Sequence, residues 1–402
     1  MFFLLNPIHG TGCFRKLLAL LFSMPLCVHA ETGSESRISF KKTLIDSKFR
    51  SEGVAVADFN RDGKQDIVAG RVLYLAPEWK LYSLESTVRD FSPKDYSGSF
   101  ANFTHDVNHD GWPDVILVDF PGTPTYWYEN PQKLGLPWKR HICVPVSNNE
   151  SPLFRDLDGD GNPELIMATA PTTEQSDGPD RFMAFFTPQT TSVMPWKVHR
   201  ISQNAVPGTR KYSHGLGLGD INLDGRLDIL IKEGGWESPE NPNGQTWTFH
   251  SANWGEDSAQ MFAYDFDGDG DQDILSSSAH RYGIWWHEQI SGNWKTHIID
   301  QSYSQTHGLC LADVNGDGLP DFVTGKRWYA HGGRDPGGND PAVFFWYELR
   351  RSGTHPEWIR HPIDSNSGPG TQFEVHDVNQ DGMLDVVTSN KKGTHLVLQK
   401  RN

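Results

Sequence analysis

Short apolar runs recur along this chain, each too brief for a buried helix and each interrupted by an acidic, glycine-containing stretch. Val54-Ala55-Val56-Ala57 and Leu216-Gly217-Leu218-Gly219 precede such stretches; Ile67-Val68, Val115-Ile116-Leu117, Ile229-Leu230-Ile231 and Val386-Val387-Thr388 follow them. β-Branched runs of this length bounded by turn residues predict strands, so the unit is strand, acidic turn, strand. A second pattern, aromatic-Lys-x-His-x-Ile with drift, begins at Phe40, Trp79, Trp138, Trp196, Trp247, Trp294 and Trp358. A third stands before several of these: Trp127-Tyr128-Glu129, Trp286-His287-Glu288 and Trp346-Tyr347-Glu348. Four short strands per repeat predict the blade of a β-propeller.

The acidic stretches share one nine-residue pattern, D-x-[D/N]-x-D-G-x-x-[D/E], in seven copies. Position 1 is Asp58, Asp106, Asp156, Asp220, Asp265, Asp313 and Asp377; position 3 is Asn60, Asn108, Asp158, Asn222, Asp267, Asn315 and Asn379. Position 5 is Asp62, Asp110, Asp160, Asp224, Asp269, Asp317 and Asp381; position 9 is Asp66, Asp114, Glu164, Asp228, Asp273, Asp321 and Asp385. Side-chain oxygens at these positions, with a backbone carbonyl at position 7, make the flexible oxygen cage that Ca²⁺ requires. Glycine at position 6 lets the chain reverse without a Cβ clash. An EF-hand closes with Glu at position 12 between helices, so the early closing acid and the flanking strands exclude it. The expectation is up to seven structural calcium ions.

Successive loops begin 48, 50, 64, 45, 48 and 64 residues apart, a period that signals a propeller or solenoid. The predicted fold is therefore all-β, a seven-bladed propeller over residues 31–402 with one calcium loop per blade. The Phe40 copy of the Lys-x-His strand precedes the first loop, and nothing equivalent follows His395–Gln399. Ile38–Asp46 is thus expected to pair beside the strand ending near Lys400 and close the ring, removing exposed edges.

Residues 1–30 read as an export signal. Arg15 and Lys16 precede an apolar stretch from Leu17 to Val28, and Val28-His29-Ala30 offers small residues for cleavage near Ala30. A secreted or periplasmic protein without a transmembrane anchor is expected. Cys13 and Cys27 leave with the signal; Cys143 and Cys310, far apart in strand contexts, read as buried free thiols. The net charge of −15 is mostly metal cage, because the four ligand positions hold 23 of the 51 acidic residues. No Lys/Arg stripe remains, which argues against nucleic acid.

The loops and repeats resemble the FG-GAP/VCBS family of secreted calcium-binding propellers, related to the integrin α-chain head. That resemblance implies fold and calcium but not activity. If every loop lies on one face, the opposite face gathers the residues six before each loop: Glu52, Phe100, Glu150, His214, Ala259, His307 and Thr371. It also gathers those five past each closing acid: Arg71, Asp119, Thr169, Glu233, Ser278, Lys326 and Asn390. Two long repeats add Trp-, Gly- and Asn-rich loops near this mouth, the composition of binding loops over a rigid scaffold. Such residues suit sugar rings, so recognition of a glycan, small sugar or protein at the mouth is the leading expectation.

The alternative is a carbon–oxygen lyase. Val323–Gly332 with Phe345–Glu348 is similar to the propeller domain of aldos-2-ulose dehydratases, which implies water elimination from a keto- or anhydro-sugar. In that reading His214 or His307 removes the proton α to a carbonyl and Lys326 or Arg327 stabilises the enolate, with Glu233 and His331 completing the candidate set. His280 is a further imidazole of the region. Two His and a Glu converging at the mouth could instead hold a transition metal such as Zn²⁺ with an open position. His141, His199, His250, His297 and His361 fall in the repeated outer strand and read as structural.

Overall fold

The computed structural model describes residues 38–401, apart from 191–194 and 354; the expected export signal lies outside them. The chain is all-β, a β-propeller with two short 3₁₀ turns. Its template is the sheet Val54–Ala57, Asp66–Ala69, Val72–Leu75 and Lys80–Ser83, four antiparallel strands in sequence order. The same meander recurs in sheets spanning 101–147, 153–200 and 309–364. Residues 216–304 make two such meanders, joined into one eight-stranded sheet by parallel pairing of Leu216–Gly219 with Gln260–Tyr264. Glu374–His376, Asp385–Asn390 and Gly393–Arg401 form three strands of the remaining sheet, and Ile38–Asp46 runs antiparallel to the last of them, from Ile38 opposite Arg401 to Asp46 opposite Thr394.

Each acidic loop joins a first strand to a second. Its closing acid is the first residue of the second strand and pairs with the last residue of the first, as Ala57 with Asp66 or His376 with Asp385. Position 6 sits in the left-handed region in every copy, with φ +87° at Gly63, where a side chain would be strained. Each Lys-x-His run is the outer strand of its sheet, among them Lys139–Ser147, Asn293–Ser304 and His355–Asp364.

The core lies between neighbouring sheets. Ile116 and Trp127 of one sheet, for example, pack on Phe154, Leu165 and Met167 of the next. Among the described residues the two cysteines are free; Cys143 is buried as expected, but Cys310, on a first strand lining a groove, is only partly covered. Among the described residues, no helix is long and apolar enough to cross a membrane.

Candidate functional site

First strands have similar lengths, so residues just before them collect at the end away from the acidic loops. Glu150 precedes Leu153–Arg155, His214 precedes Leu216–Gly219 and His307 precedes Leu309–Ala312. These three converge. The Nε2 atoms of His214 and His307 lie 3.0 Å apart, and Glu150 Oε2 lies 3.4 Å from the first and 3.2 Å from the second. His280, from the turn between a second and a third strand, brings its Nε2 within 3.1 Å of His214 Nε2. Its Nδ1 faces Asp335 at 3.4 Å, and Asp335 also holds His331 Nδ1 at 3.0 Å. The His280 and His331 rings stack with centroids 4.7 Å apart.

The inner members are out of water: His307 is fully buried, and His214 and Glu150 are each 7% exposed. Burial opposes the Glu150 charge, yet the His214 and His307 imidazoles hold its carboxyl far below the usual range. Burial also opposes a charge on His214, but Glu150 raises its pKa overall; burial lowers that of His307. His280 is pushed down to about 4 by burial and by the imidazoles around it.

Hydrogen bonding alone cannot satisfy this cluster. A single ring nitrogen, His214 Nε2, lies within 3.0 to 3.4 Å of two other ring nitrogens and a carboxylate oxygen. It carries one proton or one lone pair, so it can serve one of those neighbours. His307 Nδ1 is buried without a hydrogen-bond partner. His214, His280 and His307 each offer a ring nitrogen close enough to the others to share one cation. Neutral imidazoles with a carboxylate are the donor set of zinc and similar metals.

The other predicted mouth residues part company. Glu233 lines a cleft of about 510 Å³ with His214, Lys232, Asp257, Lys211 and Tyr212, and its carboxylate lies 3.9 Å from Lys232 Nζ. Lys326 and Arg327 do not reach that cleft. Lys326 is fully buried, its ammonium donating to Gln305 Oε1 at 2.9 Å, and Arg327 is buried against Glu52. Burial pushes Lys326 down to about 8 and Arg327 down to about 9. Arg71 is engaged by Asp119 at 2.8 Å and Asn390 by the Ser367 and Gly368 carbonyls. His331 touches the cluster through Asp335 and through its stack on His280. Asp335 and Gln305, which links it to Lys326, escaped the sequence reading; the sole signal for Asp335 is its place four residues after His331 in a glycine-rich insertion.

On the opposite face, the five loops with Asn at position 3 are built alike. Asp58 accepts the backbone N–H of Asp62 at 3.0 Å and of Gly63 at 2.8 Å, while Asp62 accepts that of Lys64 at 3.0 Å. The closing Asp66 accepts Phe59 N–H at 3.1 Å and Ala76 N–H at 2.9 Å, stitching the loop to the third strand. Asp114, Asp228, Asp273, Asp321 and Asp385 repeat that double bond. Each oxygen of Asp66 keeps a second lone pair. Burial and neighbouring loop carboxylates push Asp66 up to about 7 and Glu164 likewise to about 7. Oxygen donors gathered at an exposed turn, with the closing acid buried beneath them, fit a hard divalent cation.

The FG-GAP-like repeat family matches residues 106–167 and 265–324, so the chain carries FG-GAP-like repeats. No curated protein matches it. Similar solved structures include a lectin from Agrocybe aegerita described as recognising non-reducing terminal N-acetylglucosamine, 12% identical, covering 92% of this chain and 87% of that one, with a TM-score of 0.43. The Aleuria aurantia lectin, in a complex with α-methyl-L-fucoside, is 15% identical over 84% of this chain and 100% of that one, TM-score 0.39. YCF48 from Cyanidioschyzon merolae is 11% identical over 89% and 98%, TM-score 0.44.

Proposed function

We propose that this propeller of FG-GAP-like repeats is an exported, calcium-stabilised protein that binds a small, hydroxyl-rich ligand of the sugar class on the face opposite its acidic loops. Its blades number seven, the eight-stranded sheet counting as two, and Ile38–Asp46 closes the ring. Each loop holds one Ca²⁺ through positions 1, 3, 5 and 9. The ligand lies in the cleft beside His214, next to a divalent transition metal held by His214, His280 and His307 with Glu150 alongside.

The observation that carries this reading is His214 Nε2, crowded by two imidazole nitrogens and a carboxylate that hydrogen bonds cannot all serve. The cleft supports the ligand class. Glu233, Asp257, Lys211 and Tyr212 offer acceptors, a cation and an aromatic edge around one space, as vicinal hydroxyls and a ring face require. When bound, the metal supplies an electrophile for paired ligand oxygens; the chain's own residues orient it and exclude water.

One observation favours lyase activity as a second reading. Asp335 faces His280 Nδ1, the arrangement by which a carboxylate orients an imidazole that accepts a proton at its other nitrogen. Titration of keto-sugars and neutral oligosaccharides into the calcium-loaded protein, with ultraviolet absorbance followed in parallel, tests both. Saturable heat lost in His214→Ala with no absorbance change supports recognition. A rising absorbance lost in His214→Ala makes the protein a lyase, and no response to any sugar overturns both.

A further inference from the structure

A second cavity lies where the repeat pattern breaks. In each repeat, the second-strand residue ten positions after the first loop aspartate pairs with a third-strand residue whose side chain fills the gap to the next sheet. That residue is Leu73, Trp127, Phe185, Trp286, Trp346 or Leu396 in six repeats. In the repeat of the Asp220 loop it is Gly235, opposite Leu230. Where the residue is aromatic, the outer-strand histidine lies over it: His141 on Trp127 at 4.6 Å, His199 on Phe185 at 4.5 Å, His297 on Trp286 and His361 on Trp346 at 4.3 Å. His250 pairs with Gly235 in the same register and has no ring beneath it.

The missing ring leaves space. The cavity beside Gly235 measures about 530 Å³, within the ~300–1,000 Å³ of small-molecule sites. The equivalent gap by Leu73, bounded by the corresponding Phe59, Asn130 and Trp138, measures about 50 Å³. Trp254 covers part of the floor, 3.7 Å from where a Gly235 Cβ would stand, and Trp294 meets it edge-on with centroids 5.0 Å apart. Polar groups ring the opening: Glu237 and His250, 2.6 Å from each other, with Asn222 and Asn293. In sister repeats the displaced indole helps stabilise the charge of the closing acid, Trp127 that of Asp114 and Trp286 that of Asp273. Asp228, the closing acid here, lines the cavity instead.

We propose that this slot is a second carbohydrate site, taking one pyranose ring in the place of the missing indole. The C–H face of the sugar packs on the tryptophans, a hydroxyl reaches Asp228, and Glu237, His250 and Asn293 take the others.

The test is calorimetric titration of the calcium-loaded full chain with the methyl glycosides of glucose, galactose, mannose, fucose and N-acetylglucosamine. The proposal expects one of them to bind. Gly235→Leu restores the side chain of the Leu73 and Leu396 repeats and should weaken binding at least about tenfold. It needs Leu230 to yield by a few tenths of an ångström, since its Cδ2 stands 3.3 Å from the new Cβ. His250→Ala, at a largely exposed side chain, should weaken binding several-fold without moving the melting temperature. Binding of no glycoside to the wild type overturns the proposal, as does full affinity in a folded Gly235→Leu protein. Should that variant not fold, unchanged affinity in His250→Ala overturns it.

Discussion

His214 and His307, 93 residues apart in the chain, face each other through Nε2 atoms 3.0 Å apart, with Glu150 from a third sheet against both. Three sheets are thereby joined at one buried point, and among the described residues Glu150 is the only carboxylate in contact with both rings. Removing one member of a buried charged cluster leaves the rest desolvated and unpaired. Glu150→Ala should cost about 3–5 kcal/mol in denaturant unfolding at neutral pH. A loss below about 1 kcal/mol would show that the cluster carries no ionic interaction of consequence.

Lys326 offers a pH test remote from every carboxylate loop. Burial lowers its pKa from 10.5 to about 8. Between those values the unfolded chain holds more protons than the native one, so native stability rises with pH across that window. Lys326→Met has no such group. The melting temperature of the wild type relative to this variant should therefore climb as pH rises from about 8 towards 10.5. A pH-independent difference would mean that the ammonium is solvated.

The loops predict strong dependence on Ca²⁺. Seven sets of carboxylates repel one another without a cation, and a site bound a hundredfold above its Kd adds about 2.7 kcal/mol to native stability. Chelation should lower the melting temperature by many degrees, and restored Ca²⁺ should reverse it. Asp62→Ala should remove a part of that calcium-dependent rise. An unchanged melt with metal verified absent would make the loops self-sufficient turns.

The outer-strand histidines should split by what lies beneath them. His297 and His361 stack on indoles at 4.3 Å, and their replacement by Ala should cost about 1 kcal/mol each. His250, above glycine and largely exposed, should cost less than about 0.5 kcal/mol. Equal losses at all three positions would remove the distinction between stacked and free copies.

How much of this was legible in the sequence follows from the range of each interaction. The acidic loops are local, nine residues closed by bonds such as Phe59 N–H to Asp66, so their spacing revealed them and the flanking strands together. Counting back from the loops reached Glu150, His214 and His307 because first strands have nearly constant length. Counting forward failed at Lys326 and Arg327: it gives the end of a strand, not the neighbours that bury the side chains, here Gln305 and Glu52. His280 and Asp335 sit in irregular turns that no periodicity governs. The vacancy at Gly235 was invisible as well, since a glycine in a strand acquires meaning only once its register partners, Leu230 and His250, are known.

Metal analysis of the mouth decides most. The calcium-loaded wild type and the His214→Ala/His307→Ala double variant would each be exposed to Zn²⁺ in excess Ca²⁺, desalted, and measured by elemental mass spectrometry. One tightly held zinc per chain in the wild type and none in the variant is the predicted result. A wild type that retains no zinc, or a double variant that retains as much, would contradict a metal at the junction of these three sheets.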